Sequence, residues 1–169
     1  MQIISYNENR FNILTKEGGV RMENLREILQ ITMRRFGVLD KNCCSIGNTE
    51  ISLVQSHILY EIDKRNNPSM QEIAEIIGMD ITTFSRQIQS LVKMELVNKQ
   101  QSMNDKRVYV LQLRTQGKAI ATSIDTQMNQ YLEEVFSFMS DFEKETVILS
   151  LKLLNSSMAK SNMCCHPVK

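Results

Sequence analysis

Apolar positions recur at helical spacing over residues 20–36, with Leu25, Ile28, Leu29, Thr32, Met33 and Phe36 on one side and Glu23, Arg26, Glu27, Gln30 and Arg34 on the other. The spacing predicts an amphipathic helix, ended by Gly37 and the polar stretch Asp40 to Asn48, with Asn48 or Thr49 capping the next. Residues 1–19 show no clean period, and Gly18-Gly19 separates this leader from the first helix. The pattern returns over residues 51–64 through Ile51, Val54, Ile58, Leu59 and Ile62, and Asn66-Asn67-Pro68 stops it. Ser69 stands three residues before Glu72, the spacing of a capping box, and predicts a short helix through Ile73, Ala74, Ile76 and Ile77 that closes at Gly78. A further helix is predicted to open at Thr82 or Thr83. Its back carries Phe84, Ile88, Leu91 and Val92, while Thr82, Thr83, Ser85, Arg86, Gln87, Gln89, Ser90 and Lys93 look outward.

A short helix, a tight glycine-containing turn and a second helix with an apolar back and a polar front make a helix-turn-helix. The outward face holds Ser, Thr, Gln and Arg, which hydrogen-bond base edges and phosphates. A merely solvated face would look the same, so the residues after Lys93 decide between the two. Leu96-Val97 leads into Asn98, Lys99, Gln100 and Gln101, then a tip from Ser102 to Asp105, then an apolar-rich run with Val108, Val110 and Leu113. That is a hairpin directly after the second helix, a wing, with Lys99, Lys106 and Arg107 placed to reach phosphates or a minor groove.

The formal net charge of the chain is only +1, yet residues 80–118 carry seven basic residues against three acidic ones. One basic segment on a slightly acidic body is the footprint of a protein that meets phosphates with one part only. Two prolines, six glycines and no tryptophan fit helices on short connections rather than a β-sandwich. No run approaches the ~20 apolar residues of a membrane span, and the start of the chain lacks the pattern of a secretory signal, so the expected location is cytoplasmic.

These features together resemble the multiple-antibiotic-resistance regulator (MarR) family of winged helix-turn-helix proteins. The family's wing pattern stands here as Asp105, Arg107, Leu111 and Leu113. The stretch Met70 to Met79 is similar to its first helix, and Ser85, Arg86, Leu91, Val92, Leu96 and Val97 to its recognition helix and strand entry. Arg114 departs from the threonine usual after the last strand, so Thr115 is expected to cap the next helix one position later. The resemblance implies a regulator, by family habit a repressor, that contacts DNA through Arg107 with Asp105 orienting it. It also implies a pocket for a small hydrophobic effector between the dimer helices and the DNA-binding lobe.

The expected fold is mainly α with a small β-hairpin wing, flanked by long terminal dimerisation helices. Residues 1–48 form an arm and first dimer helix, 49–114 the DNA-binding region with Ser69 at its edge, 115–160 the carboxy-terminal dimer helices and 161–169 a tail. Ile120, Ile124, Met128, Tyr131, Leu132 and Val135 form one stripe and Phe142, Ile148, Leu149, Leu153 and Met158 another. This is more apolar surface than a ~60-residue domain covers, which predicts a homodimer on a pseudo-palindromic duplex.

Cys43-Cys44 and Cys164-Cys165 are candidate ligands for a thiophilic metal or metalloid ion, or redox-sensitive thiols whose modification releases DNA. Their adjacent spacing lacks the two-residue gap of common zinc sites, and His166 follows the second pair. His57, beside an apolar stripe, is expected to be a structural histidine. Met33, Met128, Met139 and Met158 read as adaptable core filler. Phosphate loops, nucleophile elbows and metalloprotease motifs are missing from the sequence, so no enzyme is expected, with a thiol enzyme as the residual alternative. A winged helix used only for protein contacts is the other, and salt-sensitive DNA affinity separates the two.

Overall fold

The computed structural model describes residues 22–38 and 44–160. The elements run α1 (Met22–Arg35), α2 (Leu53–Asp63), α3 (Met70–Ile77), α4 (Ile81–Lys93), β1 (Val97–Gln101), β2 (Tyr109–Leu113), α5 (Thr115–Ser137) and α6 (Asp141–Met158). This is the predicted order of helices with a hairpin after α4. The chain divides after Cys43 into two units. The first is described by α1 and the turn after it, where Leu25, Leu29 and Met33 of the helix and Phe36 of the turn are exposed. The leader and the cysteine tail lie outside the described residues.

In the second unit Ile58, Leu59, Ile73, Phe84, Ile88, Leu91, Leu96, Val97 and Leu111 are wholly buried, so every element from α2 to β2 contributes to one core. β1 and β2 pair antiparallel, Val97 opposite Leu113 and Gln101 opposite Tyr109. Ser69 makes an isolated bridge to Val110, and the Leu111 amide donates to the Pro68 carbonyl at 2.9 Å. These two contacts join the start of α3 to the wing.

Three helix starts show where local chemistry overrules apolar spacing. α2 begins at Leu53, not at residue 51, because Ser52 and Gln55 form a capping box, and Asn48 and Thr49 are not its caps. Ile51 therefore precedes the helix, yet it is fully buried. α4 begins at Ile81 because Asp80 accepts the Thr82 and Thr83 amides at 3.1 and 2.9 Å. Thr82 and Thr83 thus lie inside the helix, capped by the residue before them. α5 begins at Thr115 with Arg114 at the cap position and no side-chain cap bond. The cap expected of Thr115 is not formed, and the start of α5 is instead tied to the entry of β1 by the Arg114 amide, which donates to the Leu96 carbonyl at 2.9 Å.

That carbonyl also fixes the approach of α5. A Cβ on Gly117 would lie 2.0 Å from the Leu96 oxygen, so only glycine lets the helix sit this close to the entry of β1. Beyond Gly117, Ile120 and Ala121 the burial of α5 ends, and α6 has no buried residue. Phe138, Phe142 and Leu153 are 82%, 79% and 70% exposed. Among the described residues the α6 stripe that the sequence assigns to a partner is exposed throughout, whereas the α5 stripe is buried at Ile120, half-exposed at Ile124, Met128, Leu132 and Val135, and exposed at Tyr131.

Candidate nucleic-acid interface

The helix-turn-helix is set by its caps. Ser69 accepts the Glu72 amide at 3.1 Å while Glu72 accepts the Ser69 amide at 2.7 Å, the reciprocal box predicted from sequence. Gly78 ends α3 in the left-handed region at φ 71°, and the Met79 amide returns to the Ala74 carbonyl. Asp80 caps α4 two residues later, which makes the turn tight.

On α4, Phe84, Ile88 and Leu91 anchor the helix in the core. Thr82, Thr83, Arg86, Gln89 and Lys93 are exposed, and Ser85 and Gln87 half-exposed. Ser90 stands apart from the predicted reading face. Gln55 of α2 donates to its hydroxyl at 3.3 Å, and that hydroxyl faces the Met94 sulfur. Ser69 is half-buried with its oxygen engaged in the cap. Asp80, which sequence spacing passes over, is the residue that organises the amino-terminal end of α4.

The wing tip is closed by the Ser102 amide donating to the Val108 carbonyl at 2.8 Å and the Val108 amide to that of Asp105 at 2.9 Å. The Asp105 carboxylate accepts the Arg107 amide at 2.9 Å, its Nε at 3.2 Å and its Nη2 at 3.4 Å. A side-chain acceptor for an amide two residues on is an Asx turn. Here it also braces the guanidinium, whose side chain remains 91% exposed. Lys106 is exposed as well, while Lys99 is half-buried with Nζ 4.5 Å from the centre of the Tyr109 ring.

Three carboxyls of this region titrate below their ordinary range. The Ser69 amide and then its hydroxyl lower Glu72, the Thr83 side chain and then its amide lower Asp80, and the Arg107 amide and then its guanidinium lower Asp105. Folded values below unfolded ones mean that the unfolded chain binds more protons in acid. This part of the stability is complete above the unfolded value near ~4 and is lost as pH falls through the depressed folded values. Urea midpoints are expected to stay level through neutral pH and fall below about pH 4. A midpoint that rises on acidification contradicts these caps.

Cys44 is buried at 3% exposure, an environment that shields a thiol from solutes. Cys43, Cys164, Cys165 and His166 lie outside the described residues. Among the described residues no group of three His, Cys, Asp or Glu side chains could hold a metal ion. His57 is exposed on α2, which corrects the expectation of a packed structural histidine. Its position falls just outside the buried stripe of Ser56, Ile58, Leu59 and Ile62. No described helix is long and apolar enough to cross a membrane.

Residues 51–109 match the model of the MarR family, a span that runs from the start of the core to the second wing strand. Over 125 residues the chain is 27% identical to the uncharacterized HTH-type transcriptional regulator YxaD of Bacillus subtilis (strain 168), covering 74% of this chain and 86% of that one. The fold is similar to that of Streptococcus pneumoniae FabT in complex with DNA, with a TM-score of 0.75 and 18% identity over 82% of this chain and 97% of the other. It is also similar to a mutant MarR of E. coli complexed with operator DNA, with a TM-score of 0.64 and 22% identity over 79% and 94% of the two chains. What these structures share with the chain is the winged helix-turn-helix fold. Residues 51–109 thus carry a winged helix-turn-helix that matches the MarR family model, within a chain whose fold is similar to that of MarR structures.

Proposed function

We propose that the protein is a sequence-specific DNA-binding transcriptional regulator acting as a homodimer. In this reading α4 reads base edges in a major groove while Arg107 grips the flanking backbone or minor groove. The observation that carries it is the brace at the wing tip, where Asp105 fixes the direction of a guanidinium that is otherwise bare to solvent. An exposed arginine gains little stability for the fold from such a pair, so its ordering has value for a partner. The outward Thr82, Thr83, Arg86 and Gln89 supply the readout chemistry beside it. The DNA-bound state of the FabT and MarR neighbours supports the same docking.

Dimerisation is supported by the exposed apolar residues of α6, Phe142, Ile148, Leu149, Leu153 and Met158 among them, with Tyr131 of α5 and Phe138 beside them, too many for a monomer surface without a role. A two-fold dimer places two copies of α4 in successive major grooves, about one helical turn apart. Repression, relieved by a small effector, is the mode we adopt for it. The test is selection of bound duplexes from a random pool by the purified full chain. Enrichment of a motif with two-fold symmetry supports the reading, and recovery of unrelated sequences at background level contradicts it.

A further inference from the structure

The two wing cations that have partners are held in different ways. Arg107 lies against a carboxylate, which directs it but offsets its charge. Lys99 lies against a neutral ring, which attracts the ammonium through its π face and leaves the full positive charge in place. The register explains how they meet. Lys99 opposes Leu111 and Tyr109 opposes Gln101, so Lys99 and Tyr109 are diagonal neighbours on the hairpin face that carries buried Val97 and Leu111. The inner part of that face is spent on the core, and past Leu111 it continues as the Tyr109 ring, 40% exposed, with the lysine stem beside it.

From this geometry we infer that Tyr109 is a positioning residue for DNA binding, holding Lys99 as a directed wing cation whose charge no carboxylate offsets, for a phosphate. The inference rests on the DNA-binding reading proposed for the chain. An ammonium has three donors, and a ring occupies one side of it, so donors remain for a phosphate oxygen. A lysine on four free torsions loses much of that freedom when it docks on a phosphate. A ring that restricts it beforehand lowers this loss without adding negative charge to a surface that must meet DNA.

The test is a two-by-two comparison on a selected duplex, using the full chain. Tyr109→Leu is expected to weaken binding about five-fold in the wild-type background. It should have no further effect in Lys99→Gln, whose own salt dependence is shallower by about one phosphate contact per subunit. Tyr109→Phe keeps the ring and should bind as wild type. In the unbound protein, lysine ε-methylene NMR signals of Lys99 should lie upfield from the ring current and return to ordinary positions in Tyr109→Leu. A structural role alone would weaken binding equally in both backgrounds and lower the unfolding midpoint, and that result overturns the inference. So does unchanged binding by Tyr109→Leu on a duplex where Arg107→Ala is impaired, with the DNA-binding reading left standing. A wild-type protein without salt-sensitive duplex affinity removes both.

Discussion

Gly117→Ala should destabilise the protein by about 3 kcal/mol or more, at or beyond the upper end of ordinary overpacking. The added methyl group meets the Leu96 carbonyl oxygen at 2.0 Å, and its nearest neighbours are all backbone atoms of Leu96. A flexible side chain could turn aside, whereas this carbonyl also accepts the Arg114 amide and belongs to the chain entering β1. The first turn of α5 must therefore move off the wing. The gain of about 1 kcal/mol in helix propensity from replacing glycine by alanine does not offset that. Urea unfolding checks it, with Gln116→Ala on the exposed side of the same turn as the control, expected within about 0.5 kcal/mol of wild type. Equal stability of Gly117→Ala and wild type would show that α5 does not sit where it is described.

Arg107→Ala should leave the fold intact and damage DNA binding broadly. The side chain is 91% exposed and its partner is an equally local carboxylate, so stability has little at stake. In the proposed dimer two such arginines act, and losing both should weaken binding to most duplexes by about 100-fold at moderate salt. The salt slope should fall by about two. Arg86→Ala and Gln87→Ala should behave differently. They lie on the helix proposed to read bases, so their loss should change which sequences are preferred more than it changes affinity for all of them. A uniform loss from all three substitutions would contradict the division between a reading helix and a gripping wing.

The features legible in the sequence are those in which one short segment carries its own reason. Ser69 and Glu72 form their predicted reciprocal box because both partners lie in one turn, and Gly78 supplies the left-handed residue that ends α3. The hairpin is visible in the apolar-rich run holding Val108, Val110 and Leu113 and in the polar tip before it, although Val108 precedes β2 and the buried residue of that strand is Leu111. Competing caps are harder. Around α4 three good capping residues stand close together, and Asp80 wins because one carboxylate oxygen reaches two amides. Ser52 and Gln55 carry the same kind of signature, hidden behind the apolar Ile51, whose spacing fits the helix it only precedes.

Other features depend on contacts distant in sequence, which periodicity does not encode. Ser90 lies on the polar side of α4 by counting, and Gln55 from 35 residues away turns it toward α2. The Ser69 to Val110 bridge and the approach of Gly117 to Leu96 are of the same kind. Glu95 occupies the left-handed region at φ 60° without being glycine, held by the Leu96 amide returning to the Leu91 carbonyl. The resemblance to a family located the wing pair Asp105 and Arg107, while the bonds between them come from the structure.

The claim on which the rest depends is that the face of α4 and the wing together meet a DNA duplex. Its most direct measurement is the equilibrium affinity of the wild-type chain for one selected duplex across a series of salt concentrations. A dimer using Lys99, Lys106 and Arg107 from both subunits predicts a straight decline of log affinity against log salt with a slope of about −5. An affinity that does not change with salt, or that cannot be detected at low salt, contradicts it.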